Sequence, residues 1–211
     1  MQLKLFKRWK IKILHFFLPK VCVICKKEGE DLCFECIDKL TPSSPSFIDG
    51  TEVFSCFIYD ENIAKILHEV KYNEKAEITN VMARFIISSY LKEFNNGILI
   101  PIPISFLKRV RRGYNIPHLI SFFIKKKLGL KIETILKKRN ALSQVGLTKK
   151  ERTINAKSFF SLQRNSNLQG KTLILIDDII TTGATIKSAI NELKKLEPEQ
   201  IKVFTFAKRE I

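Results

Sequence analysis

The chain has 211 residues, 45% of them hydrophobic, enough apolar material for one folded core with a small appendage, and this excludes global disorder. A formal net charge of +16 and a pI near 9.7 favour a polyanionic partner. No stretch approaches the ~20 apolar residues of a membrane span, so a spanning helix is excluded as well.

At the N-terminus, Leu3, Phe6, Trp9, Ile13 and Phe17 fall on one face of a basic amphipathic helix. Such a helix either packs on its own protein or lies on an anionic membrane surface. The uncharged run Ile13–Leu18 is short, is broken by His15 and has no small-residue cleavage site. No export signal is read, and a cytoplasmic protein is expected.

Cys22, Cys25, Cys33 and Cys36 follow in the pattern C-x2-C-x7-C-x2-C. Two close thiol pairs joined by a short loop suit tetrahedral coordination of Zn2+. Four protein thiolates leave no open coordination position, so the zinc is expected to be structural. It would fold a module over residues 1–40 that is too small to bury a core of its own. Disulfides are the weaker alternative in a chain without an export signal. Cys56, in the alternating run VFSCFIY, reads as a buried strand residue.

Thr41–Ser46, TPSSPS, has turn composition and reads as a linker to a second domain over residues 47–211. There the spacing predicts a strand over Val53–Tyr59, helices over Asn62–Lys71 and Ala76–Phe94, and a strand over Ile98–Ile104. A helix over Tyr114–Leu128, a short strand over Ile132–Leu136 and a strand ending TLILID come next. A helix over Ala184–Leu196 and a strand over Ile201–Ala207 close the chain. Strands alternating with helices predict an α/β fold with a parallel sheet flanked by helices.

Charge is concentrated between Pro101 and Phe160. That stretch holds fifteen lysines and arginines against two acids, Glu133 and Glu151, so it carries +13 of the +16. Pro101 and Pro103 stiffen a loop at the carboxyl end of a strand. Lys108, Arg109, Arg111 and Arg112 then arrive together, and Gly113 turns the chain into the next helix. Backbone donors and guanidinium groups so placed suit a pyrophosphate, although a solvated basic turn has the same composition. Basic residues continue through Arg139 and Arg152.

Leu173–Thr185, LILIDDIITTGAT, is the segment richest in chemistry. An apolar run suited to a strand buried on both faces ends in Asp177 and Asp178. Thr181, Thr182, Gly183, Ala184 and Thr185 then turn into a helix. Gly183 lets the backbone approach an anion, the free N–H groups of the helix start point at it, and the threonines add hydroxyl donors. The two carboxylates repel phosphate but accept hydrogen bonds from ribose hydroxyls, or meet a magnesium-bound substrate through water. No Gly-Lys-Ser/Thr follows the glycine, so this is not a Walker loop.

The run resembles the phosphoribosyl diphosphate (PRPP) signature of the phosphoribosyltransferase fold. Together with the other motifs, it makes nearly the whole chain similar to the ComF family of DNA-uptake competence proteins. The matching features begin with Phe17-Leu18-Pro19 leading into the cysteine pairs, then Tyr59, Leu67 and Lys71-Tyr72. Pro101-Ile102-Pro103, Arg112-Gly113-Tyr114-Asn115, the Arg139-to-Phe159 pattern and Gly170-Lys171 complete them. One departure is Ile116-Pro117, where the family usually has Gln.

The resemblance implies that Thr181–Thr185 bind the 5′-phosphate of PRPP and that Asp177 and Asp178 hold its ribose diol, with Mg2+ on the substrate. It implies a loop that covers the substrate over Arg139, Gln144, Leu147, Arg152, Asn155 and Phe159, excluding water. Lys108, Arg109, Arg111, Arg112, Arg139 and Arg152 are candidate pyrophosphate or DNA contacts. The implied role is natural transformation, with single-stranded DNA and DNA-uptake or recombination proteins as partners. An alternative stays open: a metabolic phosphoribosyltransferase acting on a base or amine. In that case Asp177 and Asp178 are catalytic, stabilising an oxocarbenium-like ribosyl group. No acceptor is identifiable, so the enzyme class is left undecided.

Overall fold

The computed structural model describes residues 20–73, 75–139, 159–163 and 167–210. The chain divides into two compact units, Met1–Leu40 and Thr41–Ile211. The N-terminal stripe from Leu3 to Phe17 lies outside the described residues. None of the described helices is long and apolar enough to cross a membrane.

The first unit is a knuckle. Cys22 donates its N–H to the Lys27 carbonyl at 2.8 Å and accepts from Lys26 N–H at 2.9 Å, which folds the first cysteine pair into a tight turn. Lys26 takes a left-handed φ of 65° to close it. Helix α1, Phe34–Ile37, starts directly after Cys33 and carries Cys36 on its first turns. Among the described residues of this unit, Val23, Leu32 and Leu40 are the aliphatic side chains buried beside Cys22 and Cys36. For residues 20–40 so small an apolar cluster does not offset the chain entropy.

The second unit is built on a six-stranded sheet in the order β1-β2-β8-β7-β3-β4. The strands are β1 (Ser46–Ile48), β2 (Thr51–Ile58), β3 (Ile98–Pro101), β4 (Lys131–Ile132), β7 (Thr172–Ile180) and β8 (Gln200–Lys208). All neighbours run parallel except the edge pair β1–β2. A separate antiparallel pair joins β5 (Leu136–Lys138) to β6 (Phe160–Leu162). Between strands come helices α2 (Glu61–Tyr72), α3 (Ile78–Tyr90), α4 (Phe106–Arg112), α5 (Ile116–Leu128) and α6 (Ala184–Leu193).

Helices cover both faces, so the central strands are apolar throughout. On one face, Leu173 and Leu175 pack with Ile186, Ile190 and Leu193 of α6. On the other, α3 and α5 pack on the sheet and on each other. There Phe204 stacks on Phe54 and Phe94 with ring centroids 5.0 and 4.5 Å apart.

Four expectations change. The Thr41–Ser46 segment is not a free linker. Ser43 N–H donates to the Cys56 carbonyl and Ile58 N–H to that of Thr41, both at 2.9 Å, so the segment runs beside β2. Asp49 and Gly50, with φ of 49° and 75°, then form the two-residue turn between β1 and β2. Strand β3 stops at Pro101 rather than Ile104, because Pro103 has no N–H to continue a ladder. The expected strand over Ile132–Leu136 is two elements in different sheets, β4 and β5. The basic segment after Pro103 is a helix, α4, capped by the Ser105 side chain and closed by Gly113 at φ 84°.

Candidate functional site

The carboxyl ends of the parallel strands converge on one edge of the sheet, the position where α/β folds hold ligands. Strand β7 is central there. It extends through Ile180, so Asp177 and Asp178 belong to its last residues rather than to the following loop. Asp177 pairs in register with Thr205 of β8, and its Oδ1 accepts the N–H of Asp178 at 2.9 Å.

The two carboxylates meet opposite environments. Burial, followed by the neighbouring Asp178 charge, holds the Asp177 pKa well above the usual carboxylate range. Burial would also raise Asp178, but the ammonium of Lys71 outweighs it, and Arg112 adds to the pull, so Asp178 is lowered. The Lys71–Asp178 ion pair is 2.7 Å long. Lys71 is delivered by the last turn of α2. That helix buries Ile63, Ile66, Leu67 and Val70 and is capped by Asp60 Oδ1, which accepts from Ile63 N–H at 2.8 Å.

Beyond β7, Thr181 and Thr182 are exposed and Gly183 takes a left-handed φ of 72° as the N-cap of α6. The first intrahelical bond is from Lys187 N–H to the Gly183 carbonyl at 2.8 Å. The N–H groups of Ala184, Thr185 and Ile186 therefore have no carbonyl partner within the helix. Ala184 N–H is touched, at 3.5 Å, by Thr182 Oγ1. The left-handed φ favours glycine at 183, and a Cβ there would sit a tight 3.3 Å from Ile48 Cδ1 of the edge strand.

Beside this edge lies a cleft of about 280 Å³ lined by Lys71, Tyr72, Lys108, Arg111, Arg112 and Tyr114. Lys71 thus serves both the Asp178 carboxylate and the cleft. The wall is fixed by the turn between α4 and α5. Tyr114 donates its hydroxyl to the Val70 carbonyl, and Asn115 Nδ2 donates to the Ile102 carbonyl at 3.0 Å. On the other side of α4 is a cavity of about 740 Å³, whose lining includes Phe106, Arg109, Asn115, His118 and Lys138. Lys138, on β5, is lowered by burial and by Lys108, while Asp177 pulls it the other way.

Of the basic residues singled out in the sequence, Lys108, Arg111 and Arg112 share the cleft, and Arg109 faces the larger cavity. Arg139 follows β5, and its Nε donates to the Phe160 carbonyl at 2.9 Å. Arg152 and the segment 140–158 lie outside the described residues. Two residues at the site were missed as contributors, Lys71 and Lys138. In the sequence Lys71-Tyr72 stands out only as a pair matching the family, and nothing local marks Lys138.

In the first unit the four sulfurs of Cys22, Cys25, Cys33 and Cys36 lie within 4.8 Å of one another. Cys25 and Cys33 are 3.6 Å apart. Tetrahedral thiolates at about 2.3 Å from a metal would be about 3.8 Å apart, so the set fits one metal ion. Burial pushes Cys22 up, but N–H groups of Cys33, Cys25 and Ile24 aim at its sulfur and bring it down to about 6, favouring the ligating thiolate. Cys56, in β2, is buried apart from this group, with its thiol pushed up to about 12 by burial.

Comparison with known proteins gives a family match and several similar chains. The phosphoribosyl transferase domain family matches residues 123–211. The chain is 24% identical over 196 residues, 85% of each chain, to "DNA utilization protein YhgH" of Salmonella typhimurium. It is 37% identical over 71 residues to "Competence protein F" of Haemophilus influenzae, covering 33% of this chain and 31% of the relative. Among solved structures it is similar to a purine phosphoribosyltransferase from Pyrococcus horikoshii. That likeness has a TM-score of 0.40 and 16% identity, over 63% of this chain and 84% of the other. The family match and the parallel sheet identify the phosphoribosyltransferase-type α/β fold.

Proposed function

We propose that this ComF-like protein of phosphoribosyltransferase type acts in DNA uptake, binding Mg-PRPP at the end of β7 and single-stranded DNA through its basic surface. The observation that carries the PRPP reading is the pairing of Asp177 and Asp178 with the open N–H groups after Gly183, on one edge of the sheet. The 5′-phosphate would take the N–H groups of Ala184 and Thr185 with the hydroxyls of Thr181, Thr182 and Thr185. The ribose diol would donate to the two carboxylates. The diphosphate would reach the cleft of Lys71, Lys108, Arg111 and Arg112. Mg2+ would enter with the substrate and neutralise part of its charge.

The names of the two relatives support the DNA-uptake role, and the lysine- and arginine-rich stretch gives DNA binding a physical basis in counterion release. We place the protein in the cytoplasm, with one structural Zn2+ held by Cys22, Cys25, Cys33 and Cys36. The deciding experiment is calorimetric titration with Mg-PRPP. Wild type is expected to bind, and Asp177→Ala with Asp178→Ala to abolish binding; an unchanged isotherm would remove the site.

The 740 Å³ cavity favours a second reading, phosphoribosyl transfer to a base or amine, because its part-apolar, part-polar lining beside the site suits a planar acceptor. Pyrophosphate release from PRPP, screened over bases, amines and single-stranded DNA, separates the two readings.

A further inference from the structure

We infer that α4 is the element on which single-stranded nucleic acid docks, with phosphates in the Lys71–Arg112 cleft when the diphosphate of PRPP does not occupy it, and bases against Phe106, Leu107 and Val110. The inference rests on the DNA-handling reading above and adds to it a non-ionic half of the interface.

Helix α4 buries none of its residues. Phe106, Leu107 and Val110 are 71%, 79% and 65% exposed. Scattered exposed apolar residues are ordinary, but three adjoining ones on a seven-residue helix form a contact face. At about 100° per residue, Phe106, Val110 and Leu107 fill one sector of the helix, and Arg111, Lys108, Arg112 and Arg109 fill the remainder. The helix carries no acid. Its occupant is therefore anionic and apolar at once.

The direction of the cations selects among such occupants. Lys108, Arg111 and Arg112 turn into the cleft with Lys71, where Tyr72 lies under Arg111 at 5.8 Å from its ring centroid. A flat anionic membrane cannot follow charges into a concave cleft. Duplex DNA hides its bases and leaves the apolar sector without a partner. A single strand has both properties: a flexible chain of phosphates that can enter the cleft, and unpaired bases that stack on aromatic and guanidinium faces. Tyr72, itself 57% exposed at the cleft, offers a further stacking surface.

The test uses the 211-residue chain purified with Zn2+ present and a fluorescein-labelled oligothymidylate, read by anisotropy across a salt series. Phe106→Ala with Leu107→Ala is expected to weaken binding about tenfold at every salt concentration, with the salt slope unchanged. Lys108→Gln with Arg111→Gln is expected to lower that slope by about 2. Wild-type affinity in the Phe106/Leu107 variant overturns the inference and leaves the proposed function standing. No oligothymidylate binding by wild type overturns both. Sedimentation with phosphatidylglycerol vesicles that depends on Phe106 and Leu107, while oligothymidylate binding does not, assigns the face to a membrane and also overturns the inference. A readout that needs no variant is hydrogen exchange. Oligothymidylate should protect Phe106–Arg112 in the wild-type chain, and unchanged exchange there counts against docking on α4.

Discussion

Asp177 and Asp178 are adjacent in sequence, yet one is raised by burial and the other held ionised by Lys71. The unfolded chain releases the Asp177 proton near the ordinary value of 3.8, whereas the folded chain keeps it to higher pH. Stability attributable to Asp177 is therefore present below about 3.8 and is lost as pH rises through the raised folded value. Asp177→Asn is expected to raise the melting temperature by about 3 °C at neutral pH and to give no gain under acid conditions, a difference that calorimetric scans at the two pH values check. Lys71→Met should act in the opposite sense. It leaves Asp178 buried without its partner, raises the Asp178 pKa and costs about 2 kcal/mol, measurable by carboxyl NMR titration and urea unfolding. The carboxylates and the Thr181–Thr185 turn were legible because they lie in one run of sequence. Lys71 and Lys138 were not, because they arrive from α2 and β5 and only the fold brings them to Asp178 and Asp177.

Elements with strong local signals were readable to within a few residues. The apolar run of β7, the amphipathic pattern of α2 and the length of α5 each specify one structure without help from distant partners. Asp60→Ala tests how much such a signal contributes. Losing its bond to Ile63 N–H should cost about 1 kcal/mol of unfolding free energy in urea, with Mg-PRPP affinity kept. The misreadings have two causes. Strand β4 and the β5–β6 pair are short and owe their existence to partners far along the chain, which periodicity cannot show. By contrast, the Asp49-Gly50 hairpin and the Ser105 cap of α4 carry local signals in the sequence, masked by the proline and serine content before the first and the dense charge within the second. For α4 the charge pattern conceals a helix because none of its residues is buried and no core-facing stripe announces it.

At the scale of the whole molecule, the two compact units are stabilised by different means. The second has a sheet core covered on both faces, while the described residues of the first rely on four sulfurs and three aliphatic side chains. Metal analysis is expected to find about one zinc per chain. Strong chelation should abolish hydrogen-exchange protection in residues 20–40 and leave that of β7 and β8 intact. The arrangement of charge has a further consequence. At the amino-terminal ends of β7 and β8, Lys171 and Lys202 lie among Glu93 and Glu199, and Lys202 meets Glu93 at 2.6 Å. At the carboxyl end, the described lining of the cleft carries four cations, of which Lys71 is paired with Asp178. Opposite charges balance at one end of the sheet, whereas at the other the cations of the cleft outnumber the carboxylate paired with Lys71, so the field felt by an approaching anion is directional. Encounters are biased towards the cleft before any contact forms. The association rate should therefore fall steeply with ionic strength while the dissociation rate changes less, which makes the cleft a kinetic funnel as well as a binding surface.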